Sequence, residues 1–249
     1  MANLYDFTVK RFDTRAEMGA QAAAEVREAI LALLKEKESI RMIFAAAPSQ
    51  NEFLAALAHD PAIDFTRIEA LHMDEYVGLP ADAPQGFGNF LRERLFGLVP
   101  FKAVHYINGG AADIEAECAR YGKLLKGGVD IVCMGIGENG HIAFNDPHVA
   151  DLSDPLPIKK VGLDQVCRMQ QVHDGCFETL DQVPTHALTL TIPTLMNATY
   201  HFCMVPAATK AEAVYRTVYG PIGAACPATA LRLCKHAVLY VDRDSGARL

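Results

Sequence analysis

The chain lacks the features that mark several classes of protein. Its seven cysteines include no C-x-x-C pair; their odd number and scatter through apolar runs predict buried reduced thiols, not a disulfide framework or a zinc site. No apolar run is long enough to predict a membrane span. The first residues, "MANLYDFTVKRFDT", contain no apolar core of signal-peptide length. We therefore expect a cytoplasmic protein.

Positive charge is also scarce. The chain carries 23 Lys and Arg against 30 Asp and Glu, so its formal net charge is −7. An acidic chain has no general attraction for nucleic acid or for an anionic membrane surface, so neither is predicted as a partner. If the substrate is an anion, the binding site must be locally basic.

Short apolar strands alternate with helices along the chain. A long helix is predicted after the capping box of Thr14 and Glu17, and "IRMIFAAA", "RIEALHM", "VDIVCMG", "YHFCMVP" and "HAVLYVD" are typical of buried strands. This alternation predicts an α/β fold, a doubly wound and mostly parallel sheet with helices on both faces. With 249 residues, one domain over 1–249 is expected. A loop or mobile lid is predicted within 147–184.

Four polar segments directly follow predicted strands: "PSQN", "DEYVG", "GENGH" and "AATK". Ligands of open parallel sheets bind beyond the carboxyl ends of the strands. We therefore expect the four segments to meet at one edge of the sheet and to form one site.

The first segment places Ser49, Gln50 and Asn51 at a strand-to-helix turn. Free backbone N–H groups at the start of a helix attract anions, and a serine hydroxyl could add a donor. Plain capping by Ser49 is an equally good interpretation, because the glycines of a typical phosphate loop are missing.

The second segment contains two adjacent acids, Asp74 and Glu75. Neighbouring side chains on an extended segment point in opposite directions, so one acid is expected to enter the cleft while the other caps or pairs. A carboxylate at a strand end can serve as a general base, and a solvated turn is the alternative.

The third segment combines a glycine turn, including Gly137, with a single histidine, His141. Asp146, five residues later, could orient the imidazole for proton transfer near neutral pH. The alternative is a histidine that only caps a structural turn. The glycine spacing does not fit a dinucleotide fingerprint, no P-loop occurs, and no residue set has convincing metal spacing, so we expect no metal and no cofactor.

The fourth segment ends at Lys210, which begins a helix. A cation near a helix N-terminus is unfavourable unless an anion also lies there. Lys210 is therefore a candidate anion ligand, with an ordinary exposed lysine as the alternative.

Two of these motifs together resemble the glucosamine-6-phosphate deaminase (isomerase) family, which shares its fold with the 6-phosphogluconolactonases. The motifs are "MDEYVGLP" and "GIGENGHIAFNDP", and "AAAPSQNEFLAAL", "QVPTHALTLTIPTL" and "AATKAEAV" also match in place. The resemblance spans nearly the whole chain. It implies an enzyme that converts a phosphorylated amino sugar to a ketose phosphate and ammonia, without a cofactor.

The resemblance also implies roles for individual residues. Asp74 would move a proton between C2 and C1, and His141 would open the sugar ring. Asp146 falls on a glutamate that pairs with this histidine. Lys210 falls on a phosphate-binding lysine, and Arg168 would supply a second cation.

The remaining residues of the implied site lie beside these positions. They are Asn139 as a catalytic residue beside the histidine, and Ser49, Gln50, Asn51, Glu75 and Gly137 as substrate-binding residues. Three departures from the family pattern affect the expectations. The usual T-G-x-[ST]-P loop is "AAPSQ", Asn139 replaces a frequent aspartate, and Asp146 is one methylene shorter than glutamate, so that its reach to His141 would need a backbone shift or a water.

Two other functions stay open at this point. The altered loop is compatible with a relative that acts on galactosamine phosphate, or that only isomerises a sugar phosphate without an amine. A sugar-phosphate sensor without catalysis is a third possibility, although the chain has no basic stripe for nucleic acid. A homo-oligomer is possible.

Overall fold

Ten strands and seven α-helices form the part of the chain that the structure, a computed structural model, describes. This part is residues 6–249, with only the backbone described at Asp6. The helices are α1 (Arg15–Glu36), α2 (Asn51–Ala58), α3 (Phe87–Leu91), α4 (Ile114–Leu124), α5 (Gln165–His173), α6 (Ile192–Met196) and α7 (Ala211–Tyr219). The strands are β1 (Asp6–Arg11), β2 (Ile40–Phe44), β3 (Ile68–His72), β4 (Asp74–Tyr76), β5 (Ala103–His105), β6 (Val129–Met134), β7 (Ile158–Gly162), β8 (His186–Leu190), β9 (Ala198–Val205) and β10 (His236–Val241).

The predicted capping box begins α1. The Thr14 hydroxyl oxygen accepts from the Glu17 backbone N–H at 3.2 Å, and the Glu17 carboxylate accepts from the Thr14 N–H at 3.1 Å. The N–H groups of Thr14 and Glu17 have no hydrogen-bond partner within the helix backbone, and the capping box supplies one for each, which explains why the helix starts here.

Seven parallel strands form the main sheet in the order β1-β10-β9-β6-β2-β3-β5. Successive residues of a strand face opposite sides. In β2, Met42 and Phe44 pack into the core that contains Met18 of α1, whereas Ile43 packs into a second core that contains Tyr121 of α4 and Val214 of α7. Helices therefore cover both faces, and the predicted α/β class is confirmed.

A separate antiparallel sheet, β4-β8-β7, is absent from the sequence prediction. Its strands are short, and β7 directly follows the prolines of "SDPLP", which favour a loop interpretation. The loop prediction for "NDPHVADLSDPLPIKK" is wrong at its end, where "IKK" begins β7 (Ile158–Gly162); α5 (Gln165–His173) follows within the same region. Pairing with the buried strand β8 explains β7. A lid movement of the region 147–184 stays a prediction.

The thiols agree with the sequence analysis. All seven cysteines are free; six are buried, and Cys176 is partly exposed. Among residues 6–249, no helix combines the length and the apolar character needed to cross a bilayer.

Candidate active site

One pocket lies at the carboxyl ends of β2, β3, β6 and β9, and it encloses about 770 Å³, including space open to solvent. All four polar segments contribute to its wall. The residues that line it are Arg15, Ala45, Ala46, Ala47, Pro48, Ser49, Gln50, Met73, Asp74, Phe87, Gly135, Ile136, Gly137, His141, Ala143, Phe144, Gln170, Gln171, Asp174, Pro206, Ala207, Thr209 and Lys210.

Asp74 is the only carboxylate that reaches this pocket from the "DEY" segment. Its side chain is buried, and burial, followed by the nearby charge of Glu75, raises its pKa well above the ordinary value of an aspartate. The Asp74 backbone is fixed by His72: Nε2 accepts from the Ile107 N–H at 2.9 Å, so Nδ1 carries the proton and donates to the Asp74 carbonyl at 2.9 Å. Burial lowers the pKa of His72 to about 4, so this imidazole stays neutral. Asp74 is therefore a positioned carboxylate with raised basicity.

Glu75 points away from the pocket, as the alternation of side chains along a strand requires. Its carboxylate accepts from the N–H groups of Tyr76, Phe87 and Gly88 at 3.0, 3.0 and 2.8 Å. It is absent from the lining, and direct contact of Glu75 with a substrate stays a prediction. Glu75 instead anchors the start of α3, whose first residue, Phe87, lines the pocket.

His141 lies in a hydrogen-bonded cluster with Asn139 and Asp146. The ring atom Nδ1 is 3.0 Å from the Asp146 carboxylate and 2.8 Å from the Asn139 side-chain oxygen. The amide of Asn139 also donates to Asp146 at 3.0 Å. The shorter aspartate thus reaches the histidine directly, without the bridging water considered above.

The charge state of Asp146 suits a partner for this histidine. The side chain is fully buried. Burial alone would raise its pKa, but hydrogen bonds from His141 and Asn139 and the attraction of His141 outweigh burial and hold the pKa below the usual value. Asp146 is therefore ionised near neutral pH. With Nδ1 held by these acceptors, Nε2 is left for exchange of a proton with a ligand.

Gly137 explains how the imidazole fits against the glycine turn. A Cβ at this position would lie 2.1 Å from Cε1 of the His141 ring, so only glycine allows this approach. Its N–H donates to the His141 carbonyl at 2.9 Å and is not free for a ligand. Gly137 lines the pocket, where its lack of a side chain makes room for the His141 ring.

Two alanines at the pocket have unusual backbone conformations. Ala143 and Ala207 have φ values of 48° and 86°, and they are the only non-glycine residues with positive φ in the described part of the chain. Both line the pocket. Such conformations cost about 1–3 kcal/mol each and are concentrated at functional sites, where the surrounding structure maintains them.

Lys210 is the buried cation of the pocket. Its residue is 4% exposed, and no hydrogen-bond partner for Nζ exists within residues 6–249. Burial lowers its pKa, although the carboxylates of Asp174 and Glu138 act in the opposite direction. The exposed-lysine interpretation does not fit this environment. An unpaired buried ammonium that lines a cavity is a ready site for an anion.

The turn at 48–51 differs from the expected backbone cradle. The N–H groups of Gln50 and Asn51 donate to the carbonyls of Ala47 and Pro48, so the expectation that both bind an anion is wrong. They are satisfied by a single 3₁₀ turn, Pro48–Gln50, that precedes α2. Ser49 and Gln50 line the pocket, whereas the Asn51 side chain is absent from the lining and accepts from Arg94 at 3.1 Å.

The side-chain oxygen of Gln50, Oε1, is buried and lacks a hydrogen-bond partner among the described residues. Its amide nitrogen donates to the Ser49 hydroxyl and to the Met204 carbonyl at 3.0 and 3.2 Å, which fixes the orientation of the amide. The pocket therefore offers an acceptor here that a ligand hydroxyl or amine can satisfy.

Arg168 does not supply the second cation of the pocket. Its guanidinium donates to the carbonyls of Leu180 and Val183 at 2.7 and 2.8 Å, and it is absent from the lining. Arg168 therefore connects α5 to the following loop. α5 turns this side chain away from the cleft, so the structure does not bring Arg168 together with Lys210, and its contact with a substrate stays a prediction.

Several pocket residues were missed by the sequence analysis. Arg15 reaches the turn at Pro48 from the start of α1, α5 contributes Gln170 and Gln171, and Asp174 follows directly after α5. No local pattern distinguishes these residues from surface residues of amphipathic helices. Phe87 and Phe144 form a stacked pair with centroids 5.5 Å apart at the wall, and such aromatic faces suit the apolar side of a sugar.

Two groups of side chains near the histidine have the composition of possible metal ligands. They are His141 with Asp146 and Cys167, and Asp146 with His148 and Asp164; within each group the ligand atoms lie within 4.8 Å of one another. In the first group, Nδ1 is engaged by Asp146, and burial together with nearby carboxylates strongly raises the pKa of Cys167, so its thiol is neutral. A metal would have to displace these contacts. The expectation of no metal stays a prediction.

The fold and the pocket define an α/β protein whose cleft, at the carboxyl ends of parallel strands, is lined by Asp74, His141 and Lys210. The family model for glucosamine-6-phosphate isomerases/6-phosphogluconolactonase matches residues 13–240. The chain is 34% identical to a glucosamine-6-phosphate deaminase of Exiguobacterium over 92% of this chain and 90% of the relative, and 34% identical to one of Bacillus thuringiensis over 95% and 86%. The chain belongs to this family.

The solved structures agree with the fold. A monomeric glucosamine-6-phosphate deaminase superposes with a TM-score of 0.87 at 29% identity, covering 97% of this chain and 99% of that one. A 6-phosphogluconolactonase of Trypanosoma brucei has a TM-score of 0.80 at 19% identity, covering 98% and 99%. The similarity to the 6-phosphogluconolactonase, at 19% identity, shows only that the fold is shared.

Proposed function

We propose that the protein isomerises and deaminates glucosamine 6-phosphate, giving a ketose phosphate and ammonia. The observation that carries this proposal is the placement of Asp74, the His141–Asp146 pair and Lys210 around one pocket. These groups supply a base, an oriented acid/base and an anion ligand. The named deaminases at 34% identity over most of both chains support the same activity.

Ring opening is the first step of the proposed reaction. The imidazolium of His141 donates a proton from Nε2 to the ring oxygen as the C1 hydroxyl gives its proton to water and the C1–O5 bond breaks, which leaves the C1 aldehyde. Asp146 stabilises the charged imidazole, and Asn139 keeps the ring in position. General acid–base catalysis of this kind contributes about 10²- to 10⁴-fold in rate.

Proton transfer from C2 to C1 follows. Asp74 removes the proton from C2 while O1 takes up a proton from water, which gives an enolamine, and Asp74 then returns the C2 proton to C1. The resulting iminium at C2 adds water and releases ammonia, leaving the ketone. The substrate nitrogen stabilises the intermediate, so the reaction as written needs no redox cofactor.

A coupled assay tests the proposal. Ammonia and ketose phosphate are measured together with glucosamine 6-phosphate, galactosamine 6-phosphate and glucose 6-phosphate as separate substrates. The proposed function predicts equal amounts of both products from the first substrate. Preference for the second would identify the other epimer, and ketose without ammonia from the third would identify a simple isomerase.

A sugar-phosphate sensor is the alternative from another class. It predicts binding of the sugar phosphate without turnover, and binding that survives Asp74→Asn. The raised pKa of the Asp74 carboxylate and its burial favour an enzyme, because a sensor has no need for a strong base in its pocket.

A further inference from the structure

The part of the pocket around Lys210 and the turn at 48–51 has few free hydrogen-bond donors for a phosphate dianion. The N–H groups of Gln50 and Asn51 are occupied within the turn. Lys210 brings one ammonium, and Asp174 adds a negative charge to the same lining. Another cation is therefore needed if a phosphate is to bind tightly here.

Arg15 is the one other cation that lines the pocket. It is held by Glu52 of α2: Nε lies 2.6 Å from one carboxylate oxygen, and Nη2 lies 2.9 Å from the other. Nη2 also donates to the Pro48 carbonyl at 2.8 Å, which ties the guanidinium to the turn that carries Ser49. The hydrogen bonds of Nη2 to Glu52 and to Pro48 hold the guanidinium beside this turn, whereas Nε, although close to Glu52, is buried and makes no hydrogen bond among the described residues.

The other edge of the guanidinium is available. Nη1 has no hydrogen bond to any described residue, while the side chain as a whole is 41% exposed. An arginine presents N–H donors from three nitrogens, so the pair with Glu52 leaves donors for a ligand. The guanidinium of Arg15 stays charged at all working pH values, so it can bind an anion even where burial lowers the pKa of Lys210 and reduces its charge.

We propose that Arg15 is a specificity-determining residue, whose Nη1 edge binds the phosphate of the substrate together with Lys210 and the Ser49 hydroxyl. This inference rests on the proposed function insofar as the substrate is a sugar phosphate. Glu52 is then a positioning residue that aims Arg15. The phosphate is held by side-chain charges from α1 and the start of α7 in place of a backbone cradle.

Arg15→Ala tests the proposal, with Arg15→Lys as the charge-preserving variant. Arg27→Ala is the matched control, because Arg27 lies on the same helix, pairs with Glu28 and Asp60, and is absent from the pocket. For Arg15→Ala we expect the KM for glucosamine 6-phosphate and the inhibition constant of inorganic phosphate to rise together by about tenfold, as loss of one solvent-accessible charge-assisted contact implies. We expect kcat to change less than about twofold, since Arg15 binds the remote phosphate and not the reacting atoms.

Two further readouts separate phosphate binding from a purely structural role. Unphosphorylated glucosamine, used as a competitive inhibitor, should keep its inhibition constant in Arg15→Ala, and Arg15→Lys should recover part of the phosphate affinity. The proposal is overturned if Arg15→Ala matches Arg27→Ala in KM and phosphate inhibition. It is also overturned if glucosamine and phosphate inhibition weaken equally, since Arg15 would then only support the turn.

Calorimetric titration of inorganic phosphate and glucosamine 6-phosphate keeps the test independent of turnover. If the wild-type protein binds these ligands but releases no ammonia, the proposed function fails while the role of Arg15 is still measured. If binding in Arg15→Ala equals that of the wild-type protein, the role of Arg15 fails while the deaminase activity stands.

Discussion

Replacement of Lys210 by methionine should separate the two consequences of a buried, unpaired ammonium. Methionine keeps an unbranched apolar stem of similar length, so the packing around the 4% exposed side chain is largely retained. The variant removes the charge that the substrate phosphate would meet. It also removes an ammonium that has no hydrogen-bond partner among the described residues.

The expected loss of binding follows from the contact removed. A hydrogen bond to a charged group contributes about 1.5–3 kcal/mol, which corresponds to roughly ten- to a hundredfold in affinity. The KM for glucosamine 6-phosphate and the inhibition constant of inorganic phosphate should both rise within this range. Arg15 and Ser49 remain in the pocket, so binding should weaken without disappearing.

The ligand-free protein should respond in the opposite direction. Burial lowers the folded-state pKa of Lys210 below its unfolded value, so the charged side chain destabilises the folded state at neutral pH. This cost is fully present below the folded-state pKa and disappears as pH rises through the unfolded-state pKa. Lys210→Met should therefore raise the melting temperature near pH 7 and reduce the additional stabilisation by phosphate.

Steady-state kinetics and thermal unfolding with and without phosphate provide the measurements. Lys235→Met, at a lysine outside the pocket, is the control for loss of a positive charge. An unchanged KM together with unchanged phosphate inhibition would refute the reasoning, because the anion site would then lie elsewhere. A lower melting temperature of the ligand-free variant would show that the ammonium has a stabilising partner.

Four further predictions concern the acid–base groups and the expected absence of a metal. Asp74→Asn should abolish ammonia release while sugar phosphate still binds, and retention of near-wild-type release would exclude Asp74 as the base. The same variant should unfold at a higher temperature than the wild-type protein at alkaline pH. The folded-state pKa of Asp74 is raised, so the cost of its buried charge is absent below the unfolded-state pKa and grows as pH rises through the folded-state pKa. An equal difference in melting temperature at pH 4 would contradict this origin. Asp146→Asn should lower kcat by about 10²-fold or more with little change in KM, because the imidazolium of His141 loses its charged partner; a change in KM alone would point to a structural role. Dialysis against a chelator should leave ammonia release unchanged, whereas loss of activity that Zn²⁺ restores would show that the cluster with Cys167 holds a metal.

Local chemistry in the sequence predicted the positions of Asp74 and His141. Asp74 follows β3 almost directly, His141 lies in the polar segment after β6, and the carboxyl ends of parallel strands meet at one edge of the sheet. The alternation of side chains along a strand also predicted that only one of Asp74 and Glu75 would face the pocket, and the structure shows Glu75 bound to the N–H groups at the start of α3. Such conclusions need only short-range geometry and the direction of the chain.

The antiparallel sheet could not be predicted in the same way. β4 contains three residues, Asp74–Tyr76, and becomes a strand only because β8, more than a hundred residues later, pairs with it. β7 likewise depends on β8 and follows a proline-containing segment. Pairing between distant segments leaves little trace in local composition, which explains why this region was interpreted as a loop.

The sequence by itself determined the α/β class, the buried thiols and the placement of Asp74 and His141 after strand ends, because periodicity and strand-to-loop order are local properties. Only the tertiary structure decided which cations reach the pocket. Arg168 is turned toward the carbonyls of Leu180 and Val183. Arg15 is distant in sequence from the turn at Pro48, and the packing of α1 against α2 brings it there. Long flexible side chains can point in several directions from one backbone position, so their partners depend on the packing of whole elements.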